Sequence, residues 1–362
     1  MTPRVLFVGR GRLALPLEPW LQKKWDALGE VFDFRVLNAG TGAGDSRFRI
    51  LPDAAPAFYS RLPLEVVRAA RTFRPDVVIA SDPFLGSIVR ATRPRAKLVV
   101  EVHGDPQTFT RGYGSPRRRA VARAADATAW FGIAHADATR ALSPFTSSIV
   151  ERVRGIPATA SFPTYSDLEA FESRPLATVP EEKRIVFVGA LETYKNVDGL
   201  ARAWREVAQR VPDARLTVVG RGSRRATIDA LVSEVQGVEH HESLDPDGVI
   251  QAIDASRALV LPSWPEGLGR VVLEAFARGR TAVATDAGGI PDIVTDGKDG
   301  LLVPRADTPA LVAALVRVLD DHELAVRLGG AARGTYRAWH QTAADFAAKY
   351  RKLVDDVLAG AR

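Results

Sequence analysis

The sequence of 362 residues contains no cysteine and only one methionine. The absence of cysteine excludes disulfide bonds, thiolate zinc sites and cysteine nucleophiles, and it fits a reducing compartment. No stretch approaches the roughly 18 consecutive apolar residues that a membrane-spanning helix needs. The short apolar run at the N-terminus gives way to glycine and arginine, so it does not resemble a signal peptide. We therefore expect a cytoplasmic protein.

Negative charge is also in deficit, with 49 lysines and arginines against 43 aspartates and glutamates and a formal net charge of +6. Nucleic acid, an anionic membrane surface and a phosphorylated small molecule are the partners that such a charge favours. The sequence shows no nucleic-acid-binding motif and no interleaved basic and aromatic residues, so we expect no nucleic-acid partner.

The densest basic cluster is Arg117–Arg119, which follows a predicted helix start at Ser115-Pro116. Three cations at that position oppose the helix dipole. Two interpretations stay open. The cluster is either a solvated helix start or a contact with an acceptor phosphate or with anionic lipid headgroups at the inner face of the membrane.

Short β-branched runs alternate with helical stretches along the chain, which is the pattern of βαβ units on parallel sheets. The length favours two domains. The sequence therefore predicts an α/β fold with two Rossmann-like, doubly wound parallel sheets that face a central cleft. The predicted segments are an N-terminal domain (1–165), an interdomain linker (166–183), a C-terminal domain (184–340) and a C-terminal helix that folds back on the first domain (341–362).

The predicted strands are nearly continuous apolar runs, as expected for strands buried on both faces. They are Val5–Val8, Phe34–Leu37, Asp76–Ala80, Lys97–Val102, Thr139–Ser143, Arg184–Val188, Arg215–Val219, Val238–His240, Ala258–Leu261, Thr281–Ala284 and Leu301–Val303. The predicted helices are Val197–Arg210, Ser223–Glu234, Arg270–Arg278, Pro309–Asp320 and Ala343–Ala359.

The stretch LVLPSWPEGLGRVVLEAFARGR places two glutamates around a predicted helix start. Gly267 and Gly269 leave backbone uncovered, and the first turn from Arg270 presents N–H groups that suit an anion. Glu274 can accept hydrogen bonds from vicinal hydroxyls of a sugar, and Glu266 lies in the loop after a strand. Either glutamate alone is better explained as an ordinary acidic residue of a loop or a first helical turn.

The segment PEGLGRVVLEAFARGRTAVATDAGGIPDIVTDGKDGLLV resembles glycosyltransferase family 4, the retaining enzymes of GT-B architecture. That family shows two glutamates separated by seven residues and a downstream Gly-Gly turn, where this chain has Asp292 in place of the more usual glutamate. The resemblance implies that Glu274 holds the nucleotide ribose and that Glu266 contacts the donor sugar near the reaction centre. It places the residues between them against the donor diphosphate: Gly267, Leu268, Gly269 and Arg270.

RIVFVGALETYKNVDGL resembles the same family's pattern of V-G-R-L followed by lysine. The resemblance implies that Lys195 grips the donor diphosphate. Ala190 stands where the family has an arginine, so one expected cation is missing. Arg221, in VVGRGS, and Arg270 are the predicted replacements.

In the first domain, VLFVGRGRL predicts a strand and then a tight turn at Gly9 and Gly11. It lacks the full dinucleotide-binding fingerprint, and the resemblance implies a loop that faces the donor phosphates and the acceptor. His103 ends a predicted strand. A lone histidine is more often structural, but the resemblance implies that His103 contacts the donor sugar, with Asp105 orienting the histidine or the acceptor.

The resemblance implies transfer of a hexose from a UDP- or GDP-sugar to a hydroxyl of a glycan, a lipid-linked acceptor or a small molecule, as in polysaccharide biosynthesis. The anomeric configuration is retained, and His103, Glu266 and Lys195 are the predicted catalytic residues. We expect no cofactor besides the donor and no bound metal. A sugar-nucleotide epimerase of GT-B-like architecture is the alternative. A nicotinamide-dependent dehydrogenase is disfavoured by the incomplete glycine fingerprint.

Overall fold

The computed structural model describes residues 2–92, 94–111, 120 and 122–360. The basic cluster Arg117–Arg119 lies outside these residues. The described chain divides into two compact units. The first contains residues 2–92, 94–110, 120, 122–167 and 341–360, and the second contains residues 111 and 168–340.

Each unit is built on a parallel sheet. In the described chain the first sheet has the order β3-β2-β1-β4-β5-β6-β7 and the second has the order β10-β9-β8-β11-β12-β13. The first set of strands is β1 Arg4–Ala14, β2 Asp33–Thr41, β3 Phe48–Leu51, β4 Val77–Ala80, β5 Lys97–Val102, β6 Ala138–Ala141 and β7 Ala160–Ser161. The second set is β8 Arg184–Val188, β9 Arg215–Val219, β10 Val238–His241, β11 Ala258–Leu261, β12 Thr281–Thr285 and β13 Gly300–Val303.

Helices connect the strands of both sheets. They are α1 Pro19–Val31, α2 Ala55–Thr72, α3 Pro83–Ala91, α4 Pro106–Arg111, α5 Ala122–Ala134, α6 Pro144–Arg154, α7 Glu169–Ser173, α8 Val197–Arg210, α9 Arg225–Glu234, α10 Pro246–Asp254, α11 Arg270–Ala277, α12 Thr308–Asp320, α13 His322–Trp339 and α14 Ala343–Leu358. Side-chain caps set several of their starts. Asp82 accepts a hydrogen bond from the Leu85 N–H at α3, and Asp307 accepts one from the Ala310 N–H at α12.

These observations confirm the prediction of two doubly wound parallel sheets. The strand order reverses its direction between β1 and β4 in the first sheet and between β8 and β11 in the second. Ligands of such open sheets bind beyond the carboxyl ends of the strands at this switch point. Ligand-binding residues are therefore expected in the loops after these four strands.

The C-terminal helix α14 belongs to the first unit, as predicted, and packs there against α1. Its aromatic side chains Phe346 and Tyr350 meet the ring of Phe162, with centroids 6.0 and 5.2 Å away. Tyr350 also makes an edge contact with Phe7 of β1. The last helix of the chain is thus part of the core beneath the first sheet.

The stretch Gly9–Arg12 differs from its prediction. It forms no tight turn, because β1 runs through it to Ala14 and pairs with β2 on both sides of a register shift between Gly9 and Leu13. The shift places extra residues in β1, as a β-bulge does, and the strand continues beyond it.

The proline-rich segment predicted as a linker belongs to the second unit from residue 168 onward. It is held against the rest of that unit by Arg257, Arg278 and Arg280, which we call the arginine clamp. All three side chains are buried. Their guanidinium groups donate hydrogen bonds to backbone carbonyls of that segment: those of Phe171, Arg174, Pro175, Ala177, Thr178, Pro180 and Glu181. Asp254 receives two further bonds from Arg278, at 2.9 and 2.8 Å, and supplies the compensating negative charge.

Candidate functional site

In the second unit, the loops that follow β8 and β11 lie side by side at the switch point. The backbone N–H of Trp264 donates to the carbonyl of Tyr194 over 2.7 Å, which joins the two loops directly. Lys195 ends a short 3-10 turn in the first loop, and Glu266 lies in the second. Sequence-distant residues are thereby brought to one place.

Lys195 and Glu266 form an ion pair, in which the lysine ammonium donates to the Glu266 carboxylate. Their side chains are only 12% and 14% exposed. An ammonium group has three N–H donors, so this pairing leaves donors on Lys195 for another acceptor. The structure thus brings together two residues that the sequence placed in the site for different reasons.

The backbone of Glu266 contacts the downstream turn at Gly288 and Gly289. The N–H of Gly289 donates to the Glu266 carbonyl at 2.8 Å. Gly288 has φ +65°, and a Cβ there would lie 2.3 Å from the Glu266 carbonyl oxygen. Only glycine suits both the backbone angle and the close approach. The glycine pair of the motif therefore positions the loop that carries Glu266.

Glu274 projects from the first turns of α11 and is largely buried, with a side chain 14% exposed. Burial raises the pKa of Glu274, while the nearby charges of Arg270 and Lys195 partly offset that effect. The Arg270 Nε lies 3.5 Å from its carboxylate. The residue before α11, Gly269, has φ +76° and offers no side-chain cap. Glu274 is thus a buried acceptor close to the Lys195–Glu266 pair.

The predicted replacement cations have different surroundings. The N–H of Leu191, next to Ala190, donates to the carbonyl of Arg221 at 2.9 Å, so the two loops are neighbours. The Arg221 side chain is exposed and forms no ion pair with any residue that the structure describes. Arg270 forms an ion pair with Glu274, and its side chain is 58% exposed. Arg224, which the sequence analysis did not consider, is held by Thr193 and Asp198.

In the first unit, His103 follows β5, and its Nε2 lies 3.1 Å from Oε2 of Glu101. Glu101 is buried and also accepts hydrogen bonds from Arg140 at 2.6 Å and from the hydroxyl of Tyr350. Burial acts to raise the pKa of Glu101, but Arg140, His103 and the Tyr350 hydroxyl outweigh it, and the pKa falls well below its usual range. The carboxylate is ionised at neutral pH.

The sequence analysis did not identify Glu101, Arg140 or Tyr350. One feature could have pointed to the first of them, since Glu101 interrupts the apolar run LVVEV of a buried strand. A buried carboxylate needs a partner. The partners themselves come from β6 and α14, which no local pattern links to β5.

Gly9, Gly11 and Asp105 have visible structural roles. A Cβ on Gly9 would lie 2.1 Å from Oδ1 of Asn38, and the Asn38 amide donates to the carbonyl of Gly11. Asp105 accepts a hydrogen bond from the Gln107 N–H at 2.9 Å, at the start of α4. These contacts shape the carboxyl edge of the first sheet near His103.

Among the residues that the structure describes, no group of three or more acidic or histidine side chains is arranged to hold a metal ion. Within the same described ranges, every helix is too short or too polar to cross a membrane.

Comparison with known proteins gives two matches to family models. Residues 182–321 match the model of glycosyl transferases group 1, and residues 19–161 match that of a glycosyl transferase 4-like domain. The D-inositol 3-phosphate glycosyltransferase of Corynebacterium aurimucosum is 35% identical over 169 residues, which cover 44% of this chain and 40% of that protein. This chain thus spans well under half the length of that relative.

A GDP-mannose-dependent alpha-mannosyltransferase of Mycobacterium tuberculosis is 31% identical over 294 residues, covering 76% of this chain and 72% of the relative. Two solved structures share the fold over 99% of both chains. Sucrose-phosphate synthase from Thermosynechococcus elongatus has a TM-score of 0.78 at 18% identity, and Anabaena Alr3699/HepE, solved with UDP-glucose, has 0.70 at 17%. These likenesses confirm the predicted GT-B fold. The chain belongs to the glycosyl transferases of group 1.

Proposed function

We propose that this protein transfers a hexose from a nucleoside diphosphate sugar to an acceptor hydroxyl with retention of the anomeric configuration. The observation that carries the proposal is the arrangement of Lys195, Glu266 and Glu274 at the switch point of the second sheet. A cation and two carboxylates there suit the three parts of such a donor, namely diphosphate, sugar and ribose.

Glu274 is suited to the ribose. A largely buried carboxylate should be hydrogen-bonded, yet no described residue donates a hydrogen bond to Glu274. Two vicinal hydroxyls would satisfy both of its oxygens and replace the water it loses on burial. A pKa that is raised mainly by burial fits a group whose partner is a ligand.

Lys195 and the start of α11 are suited to the diphosphate. The ammonium retains donors beyond the one used by Glu266, and the amino-terminal end of a helix favours anions. Gly267, Leu268 and Gly269 bring backbone near the same place. During transfer, negative charge grows on the departing diphosphate, and preorganised donors of this kind commonly provide the largest catalytic term. Glu266, paired with Lys195, would then contact the sugar at the bond that breaks.

The proposal also assigns roles to two arginines and to three residues of the first unit. Ala190 replaces the arginine that the family uses against the donor diphosphate, so part of the diphosphate charge needs another cation. We assign Arg221 and Arg270 to this role, with Arg221 favoured because its side chain is exposed and forms no ion pair within the described chain. His103, Gly9 and Gly11 are assigned to the donor sugar and the acceptor. A UDP- or GDP-linked hexose is supported by the relatives named above, one solved with UDP-glucose and one named for GDP-mannose. The acceptor is a glycan, a lipid-linked sugar or a small molecule, and no metal takes part.

The test uses UDP-glucose and GDP-mannose labelled with ¹³C in the hexose, each with and without a panel of acceptors. Nuclear magnetic resonance of the product should show acceptor-dependent transfer with the anomeric configuration of the donor. An inverted product would contradict retention. Epimerisation of the donor without acceptor would overturn the transferase proposal in favour of an epimerase. A thermal-shift screen of nucleoside diphosphates identifies the base first, because a ligand that binds the folded state raises its apparent stability.

A further inference from the structure

The C-terminal helix α14 reaches the carboxylate that holds His103. Tyr350 lies on α14, 249 residues from Glu101, and its hydroxyl donates to Oε1 of Glu101. Arg140 of β6 donates to the same oxygen at 2.6 Å. The other oxygen, Oε2, is left for Nε2 of His103 at 3.1 Å. The two oxygens of one buried carboxylate are thus divided between the core and the histidine.

This division determines which ring nitrogen of His103 carries a proton. An ionised carboxylate accepts hydrogen bonds and donates none. The Nε2 that faces Glu101 must therefore bear the hydrogen, and in the neutral ring Nδ1 is left with a lone pair. With 40% of its side chain exposed, His103 can offer that lone pair to a hydroxyl of a ligand.

We propose that Tyr350 is a positioning residue for His103. Together with Arg140 it holds Glu101 in the orientation that fixes the His103 tautomer, and so presents Nδ1 as a hydrogen-bond acceptor for a sugar hydroxyl. The inference rests on the proposed function, which places His103 against the sugar. It assigns to the last helix of the chain a role in the site and not only in the core.

The surroundings of Glu101 support a specific role for the hydroxyl. The ring of Tyr350 already packs against Phe7, Phe162 and Phe346, at centroid distances from 4.8 to 6.0 Å. A phenylalanine at position 350 would keep these ring contacts and lose only the bond to Glu101. Other charges also face this group. Lys24 of α1 has its pKa lowered to about 8 by burial, and Asp82 at the start of α3 interacts with His103.

The test compares Tyr350→Phe with Tyr336→Phe. Tyr336 on α13 is a matched control, because its ring is buried and its hydroxyl bonds to a different carboxylate, Oε2 of Glu172, at 3.2 Å in the second unit. The tautomer of His103 is measured by ¹⁵N resonance of the imidazole nitrogens in the ligand-free protein. Turnover is measured with the donor and acceptor that the previous experiment identifies.

Tyr350→Phe should convert part of the His103 population to the other tautomer. It should also lower kcat by about 10- to 100-fold, the scale of a small misplacement of a site group, with little change in KM for the donor. Tyr336→Phe should do neither. Unchanged imidazole resonances in Tyr350→Phe would overturn the proposal, and so would equal losses of kcat in the two variants. If the tautomer changes but the native protein transfers no hexose, the positioning inference stands and the proposed function fails.

Discussion

Replacing Arg278 by methionine tests whether the arginine clamp contributes to stability. All five N–H groups of the Arg278 guanidinium donate hydrogen bonds. Two go to the carboxylate of Asp254, and three go to the carbonyls of Phe171, Arg174 and Pro175, over 2.7 to 3.0 Å. The side chain is 1% exposed. Methionine fills much of the same space without any of these donors.

The expected loss follows from what the substitution leaves behind. Removing one partner of a buried ion pair costs about 3–5 kcal/mol, because the remaining charge stays desolvated. The carboxylate of Asp254 is 19% exposed, so water can reach part of it, and the lower end of that range applies. We expect a destabilisation of about 3 kcal/mol, which corresponds to a fall of about 6–12 °C in the unfolding temperature of a unit of this size.

Hydrogen exchange is the suitable assay, because a two-unit chain need not unfold in one step. The backbone amides of β8 and β11 report the stability of the second unit, and those of β4 and β5 serve as an internal reference. Arg202→Met is the control variant, since Arg202 is an exposed residue of α8 and should change stability by less than about 0.5 kcal/mol. Exchange in β8 and β11 that is equally slow in Arg278→Met and Arg202→Met would refute the role assigned to the clamp.

Three further predictions concern the donor site. Burial raises the pKa of Glu274 above its ordinary value of 4.5. At pH values between 4.5 and this raised pKa, the folded state holds more protons than the unfolded state, so the free energy of unfolding falls as the pH rises through that interval. Glu274→Gln should therefore raise the unfolding temperature at neutral pH and weaken nucleoside diphosphate binding in calorimetry; an unchanged temperature and affinity would contradict both roles. Lys195→Ala should lower kcat by about 10²–10³-fold, and near-native turnover would show that another residue holds the diphosphate. Gly288→Ala should displace Glu266, because the added Cβ would lie 2.3 Å from its carbonyl oxygen; turnover should fall, and a native rate would exclude this support.

Much of the fold could be predicted because the central strands are continuous apolar runs. The strands β5, β8, β9 and β11 have the predicted bounds, and so does helix α8. The edge strand β3 was missed because only its end residues Phe48 and Leu51 are buried, which gives no clear strand pattern. Helix α10 and the short β7 were also missed.

Helix α13 was missed for a different reason. Its sequence contains Gly329, which lowers helix propensity. In the folded chain a Cβ at Gly329 would lie 2.2 Å from the carbonyl oxygen of Gly279, so the glycine allows α13 to pack closely against the turn after α11. This reason lies in tertiary packing and cannot be read from the local sequence.

The candidate site divides in the same way. Lys195, Glu266 and Glu274 belong to short motifs, which can be recognised in the sequence by the spacing of their residues. The bond between Tyr350 and Glu101 joins residues on α14 and β5, and the sequence contains nothing that pairs them. Similarly, RGR at 278–280 looks like an ordinary basic stretch until the carbonyls that its two arginines bind are known.

The arginine clamp has a consequence for how the held segment can vary. Its hydrogen bonds to the segment all go to carbonyl oxygens, which every amino acid has. Two of these carbonyls belong to Pro175 and Pro180, and proline lacks an N–H but keeps its carbonyl. The hydrogen bonds of the clamp therefore do not depend on which side chains this segment carries, and the constraint falls instead on three arginines that lie 76 to 107 residues further along the chain.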